Sequence, residues 1–152
     1  MILWRITTHR GEEAVSGEGA RRYGGRWNRA GLPAVYASEH LSLAALEALV
    51  HLDTDTPLRT RWVVRIELPG GFPVTELEPG SLGKGWEAVN SAACEQAGSA
   101  WLERGEGAVL VVPSALVPEE RNVVLNPEHP FFDSGILYEV TRRFSFGRLL
   151  RE

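Results

Sequence analysis

The sequence predicts an α+β domain, a mixed β-sheet flanked by a few helices. Three observations carry that prediction. Short apolar runs, alternating or continuous, recur along the whole chain in the manner of strands. Only two stretches, ending near His51 and near Arg104, have the length and punctuation of substantial helices. No repeat, low-complexity tract or linker divides the 152 residues, so 1–152 is read as a single domain.

Ile2 to Thr7 reads as a strand, with Ile2, Trp4 and Ile6 on one face and Leu3, Arg5 and Thr7 on the other. Gly17 to Gly31 holds five glycines and few aliphatic residues, the composition of a structured loop. Ala34 to Ala37 is a short strand centred on Val35-Tyr36. Ser38 is placed to cap a helix from about His40 to His51. Trp62 to Leu68 and Val74 to Leu77 are strand candidates, with Pro69-Gly70-Gly71 turning between them. Trp86 to Arg104 reads as the longest helix, stopped by Gly105. Gly98 inside it costs about 1 kcal/mol relative to Ala and marks a place where it can break. Ala108 to Val112 has the unbroken apolar character of a buried strand. Val123 to Leu125 and Ile136 to Phe146 are later strands. Pro127, Pro130 and the neighbouring phenylalanines make Asn126 to Phe132 an ordered loop.

Composition narrows the function classes. Hydrophobic residues at 43% and charged residues at 24% belong to a folded globular protein. No apolar run approaches the roughly 18–20 residues of a membrane span. The start of the chain, Met1-Ile2-Leu3-Trp4-Arg5, lacks the features of a secretory leader. Cys94 is the single cysteine, so an internal disulfide and a cysteine-rich zinc site are excluded, and a reducing cytoplasm is the expected compartment. The formal net charge of −4 argues against direct nucleic-acid binding through a phosphate-neutralising surface. Basic residues are nonetheless concentrated. Arg21, Arg22, Arg26 and Arg29 fall in nine residues without an acid among them, and Lys84 is the only lysine in the chain. Arginine grips planar or phosphate-bearing anions with two donors, so a small anionic ligand is expected.

Several motifs fail on spacing. Gly17-Glu18-Gly19 opens like a dinucleotide fingerprint, but Arg22 stands where its third glycine belongs. Gly80 to Gly85 suggests a phosphate loop, but the glycine spacing is wrong and no Ser or Thr follows Lys84. His9, His40, His51 and His129 show no ligand pattern and are read as surface or loop residues. There is no nucleophile elbow.

One constellation remains. Glu47 is the only ionisable residue between Leu41 and Val50, with Leu43, Leu46 and Val50 on or beside its face. A helix apolar nearly all round is normally buried, and a buried carboxylate needs a partner. Glu47 is then either a core acid paired with an arginine or a catalytic carboxylate in a cleft. Arg26, in Gly24-Gly25-Arg26-Trp27-Asn28, is either solvated beside a core tryptophan or a fork for a pyrophosphate, reached closely because glycines precede it. Tyr36 is either core or a stacking platform for a flat ring, with its hydroxyl able to hydrogen-bond. Arg5 is the charged member of an apolar strand and is either paired or aimed into a site. Ser114 closes an apolar strand, as a cap or as a site residue.

These residues lie in an ordered set of motifs: Gly24-Gly25-Arg26-Trp27-Asn28, Gly31, Val35-Tyr36-Ala37-Ser38, Leu43-Ala44-Ala45-Leu46-Glu47, Val112-Pro113-Ser114 and Asn126-Pro127-Glu128-His129-Pro130. Together they resemble the RES-domain family, named for an Arg, a Glu and a Ser. The resemblance runs from Trp4-Arg5 to at least Pro130, and Leu77 to Gly107 adds nothing to it. It implies a fold similar to ADP-ribosyltransferases. It also implies a bacterial toxin of a toxin–antitoxin pair, whose partner is an Xre-like helix-turn-helix antitoxin. Such a toxin consumes NAD by hydrolysis or phosphorolysis, or transfers ADP-ribose to a protein. NAD is then the substrate, and no metal is required.

Position by position, Arg26, Glu47 and Ser114 match the three name-giving residues, Tyr36 the active-site aromatic and Arg5 the early basic residue. On this reading Arg26 and Arg5 hold the pyrophosphate and Tyr36 stacks on nicotinamide. Glu47 stabilises the developing cation, and Ser114 orients its neighbours. A non-catalytic interaction module, with Glu47 and Arg26 as a structural ion pair, is the competing class. Phe131-Phe132 or Leu149-Leu150 are candidate apolar contacts for a partner or for a homo-oligomer.

Overall fold

The computed structural model describes residues 1–52 and 59–146, with Ser134 by its backbone alone. Leu149-Leu150 lies outside the described residues. Among the described residues seven strands form one mixed sheet: β1 (Ile2–Thr7), β2 (Val35–Ser38), β3 (Arg61–Glu67), β4 (Thr75–Glu76), β5 (Val109–Pro113), β6 (Arg121–Leu125) and β7 (Leu137–Phe144), in the order β4-β5-β6-β2-β1-β3-β7. Neighbours run antiparallel except β4 and β5, which are parallel. Four α-helices accompany them: α1 (Glu18–Tyr23), α2 (Leu41–Val50), α3 (Ala92–Arg104) and α4 (Pro130–Gly135). This is the α+β class expected.

Strand alternation divides the core between the two faces of the sheet. On one face Leu3, Val35, Val64, Ile66, Val109 and Leu125 pack with Ala14 and Val15 of a short 3-10 turn and with Phe132 and Ile136. On the other, Leu110, Val112 and Val124 pack against Trp27, Cys94, Trp101 and Leu102. Burying each large apolar side chain contributes about 1.5–3 kcal/mol, so both faces are anchored.

The helices depart from expectation in instructive ways. The longest one starts at Ala92, not Trp86, because Asn90 takes a left-handed φ of 60° and Ser91 is extended. Ser91 then caps it by accepting from the Cys94 amide. Gly105, at φ 65°, ends it as expected. Gly98 does not break α3. A Cβ there would sit 1.9 Å from the Trp27 carbonyl oxygen, so the missing side chain admits the backbone of another segment. The glycine-rich stretch contains α1. Asn126 to Phe132 is a loop only as far as His129, where α4 begins. Pro130 fits there because the first helical amide needs no partner, and His129 caps the turn by accepting from the Phe131 amide.

Ser38 does not cap α2. His40 holds the capping position without a side-chain bond, and Ser38 turns into the sheet instead. Nor is α2 buried all round. Leu43 and Ala44 face the core, while Leu46 and Val50 are 38% and 55% exposed, because the helix lies on the sheet with nothing covering its outer side among the described residues.

Candidate active site

The sheet is split where β1 meets β2. The two strands pair only at Trp4 and Ser38, then part. Arg5 occupies the parting: its Nη1 donates to the Tyr36 carbonyl at 2.9 Å and its Nε to the Ala14 carbonyl at 2.8 Å. Burial pushes the Arg5 pKa down to about 10, and it has no carboxylate partner among the described residues. Beside the split lies a cavity of about 290 Å³. Arg5, Arg26, Tyr36 and Glu47 all line it, together with His51 and Asn122.

Of the arginine cluster only Arg26 lines the cavity. Arg21 and Arg22 pair with Glu18, and Arg29 with Glu103. Arg26 has no carboxylate partner among the described residues. Its Nη1 donates instead to the carbonyls of Trp86 and Ala88, both at 3.1 Å, which tethers the guanidinium and leaves its Nε–Nη2 edge uncommitted among the described residues. The segment before α3, which carried no motif, therefore aims Arg26.

The turn bearing Arg26 is itself built from buried polar groups. Tyr36 Oη accepts from the Trp27 amide at 3.0 Å and donates to Asn28 Oδ1 at 2.6 Å. Asn28, fully buried, donates to the carbonyls of Ala20, Arg29 and Leu32. Ser99 of α3 accepts from the Arg29 amide. A Cβ at Gly25 would lie 2.8 Å from the Tyr36 hydroxyl, so this glycine allows the close approach. The Tyr36 hydroxyl thus hydrogen-bonds within the turn. Its ring still lines the cavity. Burial raises its pKa above the usual value, outweighing the Trp27 amide and the Arg26 charge.

Glu47 is half-buried and forms no ion pair among the described residues, which removes the reading of a core acid matched to an arginine. Neutral donors hold it. Ser114 Oγ donates to Oε1 at 2.9 Å and Asn122 Nδ2 to the same oxygen at 2.8 Å. Ser114 is completely buried and does not line the cavity. It accepts from the amides of Leu116 and Val117, so its only proton is directed at Glu47. Asn122 is set in turn by Ser38, whose hydroxyl donates to Oδ1 at 2.7 Å. With two donors on Oε1, Oε2 has no hydrogen-bond partner among the described residues.

Sequence reasoning passes over Asn122, gives Asn28 no role of its own, reads Ser38 as a helix cap and takes His51 for a surface or loop residue. Asn122 and Ser38 are directly paired in the β2–β6 register, which sequence spacing cannot reveal. Among the described residues, Glu39, His40 and Glu120 group at metal-like spacing, but Glu39 is occupied by the Arg121 amide.

The RES domain family profile matches residues 2–146. The chain is 41% identical to the Toxin Res of Photorhabdus laumondii over 149 residues, covering 97% of this chain and 94% of that one. It is 41% identical to the Prs ADP-ribosylating toxin of a Sphingobium species over 134 residues, 84% and 83% of the two chains. It is 35% identical to the Toxin Res of Yersinia enterocolitica over 153 residues, 99% and 100% of the two. A sheet split beside a cavity that holds an arginine, a tyrosine and a Ser-bonded glutamate is thus the setting of a RES domain, and this chain belongs to the RES domain family.

Proposed function

We propose that this protein is a RES toxin that cleaves the nicotinamide–ribose bond of NAD, by hydrolysis or phosphorolysis. The observation that carries the reading is Glu47: one carboxylate oxygen is bound by Ser114 and Asn122, the other has no hydrogen-bond partner among the described residues, and Glu47 lines a cavity shared with Arg26.

The chemistry follows from the substrate. Nicotinamide leaves as a neutral ring, and the ribose carbon passes through an oxocarbenium-like state, as in glycoside cleavage. The leaving group needs no strong general acid. The site must bind a pyrophosphate, orient the ribose and stabilise positive charge. Arg26 offers its Nε–Nη2 edge to the pyrophosphate as a two-donor fork. Arg5 has already used Nε and Nη1 on carbonyls, so it contributes Nη2 and its charge. The Tyr36 ring stacks on nicotinamide. Glu47 Oε2 accepts from a ribose hydroxyl and places negative charge beside the developing cation, a preorganised electrostatic effect. Ser114 positions that carboxylate from behind the cavity wall, and Asn122, which lines the cavity, holds the same oxygen.

A second reading on the same site, transfer of ADP-ribose to a protein, is supported by the 41% identical relative named as an ADP-ribosylating toxin. The family resemblance supports a bacterial, cytoplasmic role in which an Xre-like antitoxin restrains the enzyme. No helix among the described residues is long and apolar enough to cross a membrane.

Incubation of the purified protein with labelled NAD tests the proposal. Nicotinamide release is expected, with ADP-ribose or its 1-phosphate as co-product. Glu47→Gln is expected to lower turnover by about a hundredfold or more, the usual scale for losing a preorganised electrostatic group. Label on protein favours the transfer reading, and full activity in Glu47→Gln removes Glu47 from the mechanism.

A further inference from the structure

We infer that His51 takes the proton from a water molecule attacking the ribose carbon, so that hydrolysis is the outcome of NAD cleavage in this protein. This rests on the reading of the site given above and goes beyond it by naming the nucleophile and its base.

Elimination within the cavity leads there. Among the described residues lining it, two carry a basic lone pair, Glu47 and His51. The guanidinium groups of Arg5 and Arg26 have none to offer. The Ser38 hydroxyl is committed to Asn122, and the Tyr36 hydroxyl to Asn28 and the Trp27 amide. Glu47 Oε2 is needed by the ribose. That leaves His51.

Its geometry suits the task. His51 ends α2 one turn beyond Glu47, and its Nδ1 lies 2.7 Å from the Glu47 carbonyl oxygen. A carbonyl only accepts, so Nδ1 carries the hydrogen and the lone pair of the neutral ring is on Nε2. The same bond fixes the ring on the residue that ends α2, and His51 and Glu47 line one cavity. His51 is exposed, so water reaches it and the captured proton returns to solvent. The charged groups sharing the cavity with it are Arg5 on β1, Arg26 on the turn before β2 and Glu47 on its own helix.

The step balances. The bond between the ribose carbon and the nicotinamide nitrogen breaks, its electron pair neutralising the pyridinium ring. The water oxygen bonds to the same carbon, and one water proton passes to His51 Nε2. The products are nicotinamide and ADP-ribose.

The test uses the full-length protein and NAD in parallel reactions without and with phosphate. His51→Asn keeps an amide donor near the Nδ1 position and removes Nε2. Its kcat for ADP-ribose formation is expected to fall about a hundredfold, the low end for losing general-base catalysis, with KM almost unchanged. Added imidazole is expected to restore turnover to His51→Ala, which a merely structural role would not allow. Wild-type kcat in His51→Asn, or no response of His51→Ala to imidazole, overturns the inference. Nicotinamide release in which phosphate or a protein captures the ADP-ribose also overturns it, while NAD cleavage stands. No nicotinamide release from the wild type overturns both.

Discussion

Ser114 and Glu47, 67 residues apart in the chain, meet in a 2.9 Å hydrogen bond in which a completely buried hydroxyl donates to one carboxylate oxygen. Ser114 thus acts on Glu47 from behind the cavity wall. Ser114→Ala is expected to remove a donor from Glu47 and to strip the Leu116 and Val117 amides of their acceptor. A loss of about 2 kcal/mol in urea unfolding should accompany a fall in kcat. Asn122→Asp replaces the second donor with a like charge and should lower kcat at least as far. If both variants turn over NAD like the wild type, the positioning of Glu47 by these side chains is immaterial to the reaction.

Arg26 binds rather than reacts in this scheme. Arg26→Ala should raise KM for NAD about tenfold or more with a smaller effect on kcat, since a charge-assisted bond contributes about 1.5–3 kcal/mol. Arg26→Lys should not restore KM, because an ammonium cannot both reach the Trp86 and Ala88 carbonyls and present a two-donor edge. Steady-state kinetics of the two variants decide it. Unchanged KM and kcat in Arg26→Ala would refute the phosphate-clamp role.

Tyr36→Phe should cost about 1–3 kcal/mol, because it leaves the Trp27 amide and Asn28 Oδ1 without their partner. The pH dependence has a defined sign. Burial raises the Tyr36 pKa above its ordinary value of 10.0, so past that pH the unfolded chain loses a proton that the folded chain keeps. The contribution is complete below pH 10 and is lost as pH rises, so wild-type stability should decline there more steeply than that of Tyr36→Phe. Urea midpoints on either side of pH 10 measure the difference, and parallel declines would count against it.

Gly98→Ala would ordinarily favour a helix. Here the new Cβ meets the Trp27 carbonyl oxygen at 1.9 Å, and neither backbone can yield cheaply. A destabilisation of about 3 kcal/mol is expected, at the upper end for overpacking, together with a raised KM as the turn bearing Arg26 is displaced. An unchanged unfolding midpoint would mean that the contact relaxes without cost.

By itself the sequence determined the elements and the reactive residue types. β1, β3, β5 and β6 were legible as apolar runs because a strand's two-residue period and a buried strand's continuous apolarity are local properties. Gly105 was legible as a helix stop for the same reason. Arg5, Arg26, Tyr36 and Glu47 were legible because each departs from its local pattern, and all four line one cavity. Tertiary structure alone decided what they do to one another. The Arg26 tether comes from carbonyls 60 and 62 residues away, and carbonyls carry no sequence signature. Asn122 reaches Glu47 only because β6 pairs with β2 in one register, and a shift of one residue would turn its side chain to the opposite face. Gly98 reads as a weak point in a helix until the backbone packed on it is known. Which arginine stays available depends on the positions of Glu18 and Glu103, since pairing is a matter of distance in space and not of spacing along the chain.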